Sequence, residues 1–248
     1  MTLLEVRDLS KEFDGLRALD RVSFSAGDGE ILGVIGPNGA GKTTLFNLIS
    51  GLTPATSGEI NFHGKSILRL KPHQISHLGI GRTFQMVRPF SNLDVETNVL
   101  VASGHPFYPS LLKSASPFHR PDILEGVQIH IERAGLRPYA KQLAKNLPLG
   151  IKKRLEIARA LALKPRLLLL DEPSGGLRFE ESVQLMELIR QVRDQGIGVI
   201  LIEHNMQVIM NLCRRIVVLD HGSKIAEGSP EEIRSNPQVV QAYLGKEA

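Results

Sequence analysis

The chain has 248 residues, which is enough to bury a sizeable core in one large domain or in a domain with a subdomain. Its hydrophobic content of 42% and charged content of 23% are ordinary for a globular protein, and its longest apolar runs, LLLL and VILI, are too short to cross a membrane. The net charge of +4 is compatible with a solvated surface, with nucleic acid or with an anionic membrane face, and it selects none of them.

The cysteine count and the N-terminus indicate a cytoplasmic chain. The single cysteine, Cys213, cannot form an internal disulfide and is predicted to lie in a helix core. The N-terminal residues MTLLEVRDLSKEF show no basic segment followed by a long apolar run, so no signal peptide is predicted. We expect any contact with a membrane to be peripheral.

Short apolar runs separated by helix-length stretches predict an α/β fold with a parallel-sheet core. The runs are ILGVI at 31–35, RLLLLD at 166–171, GVILIE at 198–203 and RIVVLD at 215–220. Three other segments, LLEVRDL, RVSFSA and GEINFHG, alternate apolar and polar residues as half-solvated antiparallel strands do. We therefore predict a parallel core with a small antiparallel β flank.

The middle of the chain differs from the rest. Residues 86–161 lack strong strand signals and carry helical patterns such as ILEGVQIHIERAG, which predict a helical insertion. Within it, residues 103–121 hold four prolines among serines and aromatic residues, and they are predicted to form a long surface loop. Residues 1–85 and 162–248 then form the core and its antiparallel flank.

The segment GPNGAGKTT directly follows the first apolar run and opens a predicted helix. It matches the phosphate-loop pattern G-x-x-x-x-G-K-[ST] in the strand–loop–helix context that this pattern requires, which a chance glycine-rich turn would not explain. The glycines let backbone N–H groups face a phosphate chain, Lys42 adds positive charge for the β- and γ-phosphates, and Thr43 offers a hydroxyl to Mg²⁺. The predicted binding residues are Gly36, Pro37, Asn38, Gly39, Ala40, Gly41, Lys42, Thr43 and Thr44.

A second motif, LLLLDEP, ends a predicted buried strand with two carboxylates. Asp171 can hold Mg²⁺ directly or through water, and Glu172 is placed to polarise an attacking water. The alternative is that the pair caps a helix, because Pro173 follows. Together with the phosphate loop, the motif predicts a Mg²⁺-dependent nucleoside-triphosphatase and leaves its class open.

Taken in chain order, five motifs resemble those of the ATP-binding-cassette (ABC) ATPases over essentially the whole chain. They are GPNGAGKTT, RTFQ, LPLGIKKRLEIARAL, LLLLDEP and IEH. The resemblance implies a single P-loop NTPase domain of the ABC ATPase fold, with a helical subdomain at 86–161. It also implies a dimer in which ATP lies between one subunit's phosphate loop and the other's signature turn, here around Gly150.

The resemblance assigns roles to residues that their surroundings alone leave open. Gln85 and His204 would each otherwise be interpreted as surface or hydrogen-bonded structural residues. In an ABC ATPase Gln85 senses the γ-phosphate and ligates Mg²⁺, His204 contacts the γ-phosphate, and Glu172 is the catalytic carboxylate. Phe13 falls where the family places an aromatic residue that stacks on adenine; its alternative is a strand residue packed into the flank.

The match is closer to the longer of the two ATPase subunits of Liv-type branched-chain amino-acid importers. It rests on GRTFQMVRPFSNLDVETNVLVA, the proline-rich insertion, LEIARAL and HGSKIAEGSPEEIRSNPQVVQAYLG. Relatives of that group also energise the uptake of urea and amides. The implied cofactors are ATP and Mg²⁺, and the implied partners are two membrane permeases, a second ABC ATPase subunit in a homo- or heterodimer, and a periplasmic or extracellular solute-binding protein. No nucleic acid is expected, and the chain is expected at the cytoplasmic face of the membrane.

Three positions depart from the family pattern. The signature, usually L-S-G-G-Q, is LPLGI here, and Pro148 offers neither a hydroxyl nor an N–H to a γ-phosphate. Arg178 follows SGGL where Asp or Asn is common, and Asn205 follows His204 where Asp is common. If the partner is a different cassette, the two ATP sites need not be equally active.

The helix after the signature begins with three cations, Lys152, Lys153 and Arg154. Positive charge at a helix N-terminus is unfavourable by about 0.3–1 kcal/mol per side chain unless an anion lies close by. We predict that this anion is the triphosphate of an opposing subunit and that Lys152 and Lys153 partly offset the missing serine. A solvated basic turn is the alternative.

Two other functions suit parts of the sequence. The positive net charge would suit an ATP-switched nucleic-acid or ribosome factor, although such proteins usually carry two cassettes or long coiled coils, and this chain has neither. The altered signature and Arg178 would suit a weakly active nucleotide-binding regulatory subunit, against which the intact Glu172 and His204 argue. We therefore expect an ATP-hydrolysing importer subunit.

Overall fold

Two β-sheets form the framework of the residues that the computed structural model describes, 2–104 and 121–244. Most of the predicted proline-rich loop, residues 105–120, lies outside the described residues. In chain order the strands are β1 (Thr2–Phe13), β2 (Leu16–Gly27), β3 (Ile31–Ile35), β4 (Ser57–Phe62), β5 (Lys65–Ser66), β6 (Ile80–Arg82), β7 (Leu167–Asp171), β8 (Gly198–Ile202), β9 (Arg215–Asp220) and β10 (Ser223–Gly228).

The larger sheet is the parallel core that the apolar runs predict. Its described strands lie in the order β10–β9–β3–β8–β7–β6; β10 pairs antiparallel with β9, and the other neighbours pair in parallel. Every residue of β3, β7 and β8 is buried, because both faces of the sheet are covered. The short strand β6 and the edge strand β10 have no comparable apolar run, so the sequence pattern does not predict them.

The smaller sheet is the predicted antiparallel flank, with its described strands in the order β2–β1–β4–β5. Along β1, Leu4 and Val6 are buried, whereas Glu5 is partly exposed and Arg7 is exposed. This alternation follows from the two-residue period of a strand with one face on the core.

Helices connect the strands and cover the parallel sheet. In chain order they are α1 (Lys42–Ile49), α2 (Pro72–His77), α3 (Val95–Ser103), α4 (Pro121–Arg133), α5 (Leu149–Ala162), α6 (Phe179–Asp194), α7 (Met206–Leu212), α8 (Pro230–Ser235) and α9 (Pro237–Leu244). Helices α3, α4 and α5 pack on one another in the stretch between β6 and β7. This helix-rich segment coincides with the predicted insertion, and its limits as a subdomain stay a prediction.

The central sheet separates two hydrophobic clusters. Along β7, Leu168 and Leu170 belong to the cluster on the helical side, and Leu167 and Leu169 to the cluster shared with α1 and the smaller sheet. Cys213 is buried on the helical side, but it follows the last residue of α7 and so lies outside the helix in which it was predicted; burial raises the pKa of its thiol to about 12. Among the helices of the described ranges, none is long and apolar enough to cross a membrane.

The parallel strands end in the segments that the sequence singles out. Strand β3 leads into the loop at Gly36, β6 leads towards Gln85, β7 ends with Asp171, and β8 is followed by Glu203 and His204. Because the carboxyl ends of parallel strands meet at one edge of a sheet, these segments lie side by side there.

Candidate active site

The phosphate loop occupies the turn between β3 and α1, and two of its glycines have backbone conformations that other residues rarely adopt. Gly36 and Gly41 have φ values of 152° and 100°. A Cβ added to Gly36 would lie 2.0 Å from the carbonyl oxygen of Leu219, and one added to Gly41 would lie 2.6 Å from that of Ala18. Both positions therefore require glycine, and this requirement fixes the path of the loop.

The open side of the loop suits an anion. Gly39 has a φ of 80°, and no atom of the described residues would lie within 4 Å of a Cβ added there. Lys42 begins α1, is buried, and donates from Nζ to the carbonyl oxygens of Gly36 (2.7 Å) and Pro37 (2.9 Å). An ammonium group inside a glycine turn at a helix N-terminus favours phosphate, so the residues present fit a nucleoside triphosphate.

A cavity of about 470 Å³ lies beside the loop and collects residues from distant parts of the chain. Gln85, Glu172 and His204 line it together with the phosphate loop. Its volume is within the range of small-molecule sites. Three separate sequence motifs therefore converge on one place. The loop residues in its lining are Asn38, Gly39, Ala40, Gly41, Lys42, Thr43 and Thr44.

Both carboxylate oxygens of Glu172 have partners. Gln85 donates from Nε2 to Oε2 at 2.8 Å, and His204 Nε2 lies 2.6 Å from Oε1. Glu172 has a φ of 47°, a left-handed conformation that costs a non-glycine residue about 1–2 kcal/mol. The chain bends sharply after β7 and brings this carboxylate between residues that follow two other strands.

Asp171 is the buried member of the carboxylate pair. Arg82 Nη2 lies 3.4 Å from its Oδ2, and both side chains are more than nine-tenths buried. Burial raises the pKa of Asp171, and the Arg82 charge partly offsets that rise. A carboxylate from Asp171, a hydroxyl from Thr43 and an amide oxygen from Gln85 are hard oxygen ligands, so the residues present fit Mg²⁺.

Arg82, which the sequence motifs do not single out, ties three elements together. Its guanidinium donates to Asn47 Oδ1 at 2.9 Å and to Ser50 Oγ at 2.7 Å, beside its contact with Asp171. Burial lowers the pKa of Arg82, and Asp171 opposes this. The signal in the sequence is a charge at the end of a strand, directly before TFQ, which must be paired once it is buried.

Glu203 is a second buried carboxylate that the sequence analysis misses. It accepts hydrogen bonds from the backbone N–H groups of Ser174 at 2.7 Å and His204 at 3.2 Å. It thereby joins the segment after Glu172 to the segment that carries His204. Its signal is the glutamate at the end of the otherwise apolar run GVILIE.

Comparison with known families decides the class of protein. The family described as ABC transporter matches residues 19–175, a stretch that contains the phosphate loop, Gln85, Asp171 and Glu172. The chain belongs to the ABC transporter family of ATPase subunits. The resemblance seen in the sequence is confirmed. A further family, described as branched-chain amino acid ATP-binding cassette transporter, matches residues 223–248.

Curated relatives of this cassette match it over nearly its full length. The high-affinity branched-chain amino acid transport ATP-binding protein LivG of Salmonella typhimurium is 41% identical over 98% of this chain and 98% of its own length. BraF of Pseudomonas aeruginosa, with the same description, is 39% identical at the same coverage. The lipopolysaccharide export ATP-binding protein LptB of Escherichia coli is 33% identical over 100% of this chain and 99% of its own.

Solved cassettes confirm the fold class. A nucleotide-free ATP-binding cassette from an ABC transporter superposes with a TM-score of 0.88 at 32% identity, covering 99% of this chain and 100% of that one. The ADP conformation of another ABC transporter cassette gives a TM-score of 0.88 at 30% identity, with 99% of each chain covered. Nucleotide binding by this cassette follows from its family.

Five predicted site residues of the cassette are not among the described residues that line the cavity: Phe13, Gly36, Pro37, Gly150 and Asp171. Phe13 ends β1 and is 44% exposed, with Lys11 Nζ 4.6 Å from its ring centroid. The next strand begins with Leu16 and Arg17, which do line the cavity. That Phe13 stacks on adenine and that Gly150 contacts the nucleotide of a partner subunit both stay predictions.

Gly150, in the first turn of α5, lies against a carboxylate of its own chain. A Cβ added there would lie 2.5 Å from Oε1 of Glu181, a residue of α6. Pro148 precedes the helix and makes no side-chain capping bond. Glu181 therefore supplies negative charge beside the start of α5, where helix dipoles favour it.

Of the cations near the start of α5, Lys153 does not face outward as predicted. Lys153 is only 7% exposed and donates from Nζ to the carbonyl oxygen of Glu172 at 2.7 Å, while Lys152 donates to the carbonyl oxygen of Lys145 at 3.1 Å. Burial lowers the pKa of Lys153, and Glu203 is the largest of several carboxylate influences that oppose this. The prediction that an opposing triphosphate supplies the anion is wrong for Lys153, because carboxylates of its own chain surround it.

The C-terminal helix of the cassette reaches the phosphate loop. Burial raises the pKa of the Tyr243 phenol on α9, and the neighbouring backbone of Gly36 opposes the rise. This tyrosine lies in the C-terminal family match, residues 223–248. No chemistry is predicted for this segment, and its signal in the sequence is the ending AYLG.

Proposed function

We propose that this cassette hydrolyses ATP with Mg²⁺ to power the import of branched-chain amino acids, or of a related small solute such as urea or an amide. The observation that carries the ATPase assignment is the convergence of Gln85, Glu172 and His204 on the cavity beside the phosphate loop. The solute assignment is supported by the names of LivG and BraF and by the family match at 223–248.

The phosphate loop binds the triphosphate in this proposal. Its backbone N–H groups and the Lys42 ammonium meet the phosphates at the start of α1, and Phe13 stacks on adenine. Thr43, Gln85 and Asp171 would hold Mg²⁺, which would supply positive charge to the triphosphate. Arg82 keeps the buried Asp171 paired with a positive charge.

Glu172 polarises the attacking water. In the described structure Gln85 and His204 each hold one of its carboxylate oxygens, which orients the carboxylate, and the remaining lone pairs of those oxygens can accept a proton from water. His204 contacts the γ-phosphate in this proposal, and Gln85 reports that phosphate to the helical segment.

A groove next to this site suits a permease. Its volume is about 340 Å³, and Phe84 and Phe90 in its lining are 48% and 46% exposed. Two buried polar atoms in the lining, Thr83 Oγ1 and Arg159 Nε, lack a hydrogen-bond partner within the described residues. Thr83 lies two residues before Gln85 in the sequence. An apolar groove whose buried polar atoms lack hydrogen-bond partners is typical of a protein interface.

The working assembly has two permeases and a second ABC ATPase subunit, identical or different. The start of α5, with Gly150, faces the nucleotide bound by the partner cassette. Arg178 occupies a position that the family places near the same interface. A solute-binding protein on the outer side delivers solute through the permeases. The cassette lies at the cytoplasmic face of the membrane and need not touch the solute.

Purification of the chain from its native membrane tests this function. We expect two permeases to copurify, and the reconstituted complex to move branched-chain amino acids with ATP hydrolysis. Phe90→Asp in the groove should release the permeases while the isolated chain still binds ATP; Leu78→Asp, at an exposed residue outside the groove, is the matched control. If the complex transports only urea or an amide, that compound replaces branched-chain amino acids as the proposed solute. Salt-sensitive nucleic-acid binding without permeases would overturn the transport proposal.

A further inference from the structure

Lys153 is a buried lysine whose ammonium group contacts the segment that carries Glu172. It lies in the second turn of α5, three residues after Gly150, and donates to the carbonyl oxygen of Glu172 at 2.7 Å. Its neighbour Lys152 lies partly exposed and reaches only the carbonyl oxygen of Lys145. One cation of this pair therefore connects the helical segment to the end of β7, and the other does not.

The peptide group of Glu172 is held from several elements. Its N–H donates to the carbonyl oxygen of Ile202 on β8 at 2.9 Å, and its own carbonyl oxygen accepts from the N–H of Gly175 at 3.2 Å as well as from Lys153. The φ of 47° at Glu172 is unfavourable for a side-chain-bearing residue, so surrounding contacts must maintain it. Lys153 is the one side chain among these contacts that comes from α5.

Carboxylates of the same chain make the burial of this ammonium tolerable. Glu156 on α5 is buried, as are Asp171 and Glu203 at the strand ends, and all three attract Lys153. An isolated ammonium would be expensive to bury, and it becomes acceptable when charges and hydrogen bonds compensate it. The charge therefore keeps Lys153 in place, and its hydrogen bond is directed at Glu172.

We propose that Lys153 is a positioning residue for ATP hydrolysis, which fixes the Glu172 peptide to α5 so that the carboxylate is aimed only when the start of α5 is correctly placed. Gly150 and Lys153 lie on one face of the same helix, three residues apart. When the start of α5 shifts, Lys153 therefore moves with it. This inference rests on the proposed catalytic role of Glu172. It adds that the turn bearing Gly150 acts on its own chain's carboxylate as well as on a partner's nucleotide.

Lys153→Met, with Lys65→Met on the exposed strand β5 as the control for loss of a charge, tests the proposal. In the assembled complex we expect Lys153→Met to lower kcat on the order of 10- to 100-fold, because misplacement of a reacting group by about 1 Å has effects of that size. ATP affinity of the isolated full chain should stay within about twofold, since Lys153 makes no contact with the phosphate loop among the described hydrogen bonds. Lys65→Met should leave both quantities unchanged.

Amide hydrogen exchange gives a readout that does not depend on activity. In the nucleotide-free chain, exchange over residues 172–177 should quicken in Lys153→Met and stay unchanged in Lys65→Met. Lys153→Arg keeps a charged donor, so its kcat and exchange should lie between those of the wild type and Lys153→Met. If Lys153→Met folds poorly, Lys153→Arg and Lys153→Gln must still show kcat falling as exchange over 172–177 rises.

The outcomes separate this inference from the proposed function. Equal kcat values for Lys153→Met and Lys65→Met, with Glu172→Gln inactive, overturn the role of Lys153 alone. A loss of kcat in Lys153→Met with unchanged exchange over 172–177 also overturns it. Full turnover in Glu172→Gln overturns both, because there is then no catalytic carboxylate at that position to be aimed.

Discussion

The phosphate loop and the start of α5 are the two helix N-termini of this cassette that are predicted to contact ATP, and they are built differently. At the loop, Gly36 and Gly41 leave no room for side chains, and Lys42 turns inward to the loop's own carbonyls. At α5, Pro148 stands at the cap position without a capping bond, and Glu181 lies against Gly150. The phosphate loop therefore has the features of an anion site within a single chain.

This difference between the phosphate loop and the start of α5 indicates which of the two sites depends on a partner subunit. We expect the phosphate loop to bind nucleotide with its own residues, because its cation and its helix N-terminus belong to one chain and border one cavity. The start of α5 offers little to an outside phosphate, and its nearest buried cation, Lys153, is committed to Glu172. We therefore expect substitutions at the loop to affect the isolated chain, and substitutions at α5 to act mainly in the assembled complex.

The largest expected effect is on folding, at the support of the phosphate-loop side. Arg82→Met removes hydrogen bonds to Asn47 and Ser50 and leaves Asp171 buried without its cation. Breaking a buried ion pair in this way costs about 3–5 kcal/mol, so the free energy of unfolding should fall by that amount in urea titrations. Arg7→Met, at an exposed pair with Glu5, should leave it nearly unchanged. Similar losses for the two variants would show that Arg82 does not support the site.

A pair of glycines compares the two helix starts directly. Gly36→Ala places a Cβ 2.0 Å from a backbone carbonyl, whereas Gly150→Ala meets the movable end of the Glu181 side chain. We expect Gly36→Ala to destabilise the isolated chain by about 3 kcal/mol and Gly150→Ala by less than about 1 kcal/mol. Thermal unfolding of the isolated chain measures both, and equal shifts would remove the contrast between the two sites.

Removal of the loop cation should act on binding more than on folding. Lys42→Ala should weaken ATP binding on the order of 100-fold, because a charge-assisted hydrogen bond contributes about 1.5–3 kcal/mol. Lys65→Ala, on the exposed strand β5, is the control for net charge. Calorimetric titration of the isolated chain with ATP at fixed ionic strength gives both affinities, and comparable values for the two variants would contradict the assignment of the loop.

The smallest expected effect lies in the helical segment and depends on pH. Burial, assisted by Arg133 and Lys164, lowers the pKa of His130 on α4 from 6.5 to about 4. Between those values the unfolded chain binds more protons than the folded chain, so stability should fall as the pH drops from 6.5 to 4. His130→Leu should flatten that dependence, whereas His73→Leu, at an exposed position, should not. Melting curves over this window decide it, and an unchanged slope in His130→Leu would exclude His130 as its source.

The sequence predicts most of the central sheet because its buried strands are continuous apolar runs of the right length. The runs at 31–35 and 215–220 agree with β3 and β9 to the residue, and those at 166–171 and 198–203 agree with β7 and β8 within one residue at an end. Strands β6 and β10 escape prediction, because their sequences, IGR and SKIAEG, owe their strand conformation to neighbouring strands.

The site is predictable where chemistry is written in one contiguous motif and not where it depends on distant contacts. The loop, Asp171 and Glu172 follow from two short motifs, whereas Arg82 and Lys153 gain their roles only through partners 89 and 19 residues away. Charge at the start of a helix suggested an external anion for Lys153, and folding supplied internal carboxylates instead. A period or a motif cannot indicate which buried charges meet.

Turnover by the Glu172→Gln variant in the assembled complex tests the central claim most directly. The amide cannot take a proton from water, so we expect ATP to bind and remain trapped while hydrolysis falls by a factor on the order of 100 or more, the scale of lost general-base catalysis. The wild-type complex, measured beside it, should hydrolyse ATP and transport solute. Wild-type turnover in Glu172→Gln would contradict the assignment of Glu172 and, with it, the catalytic site described for this cassette.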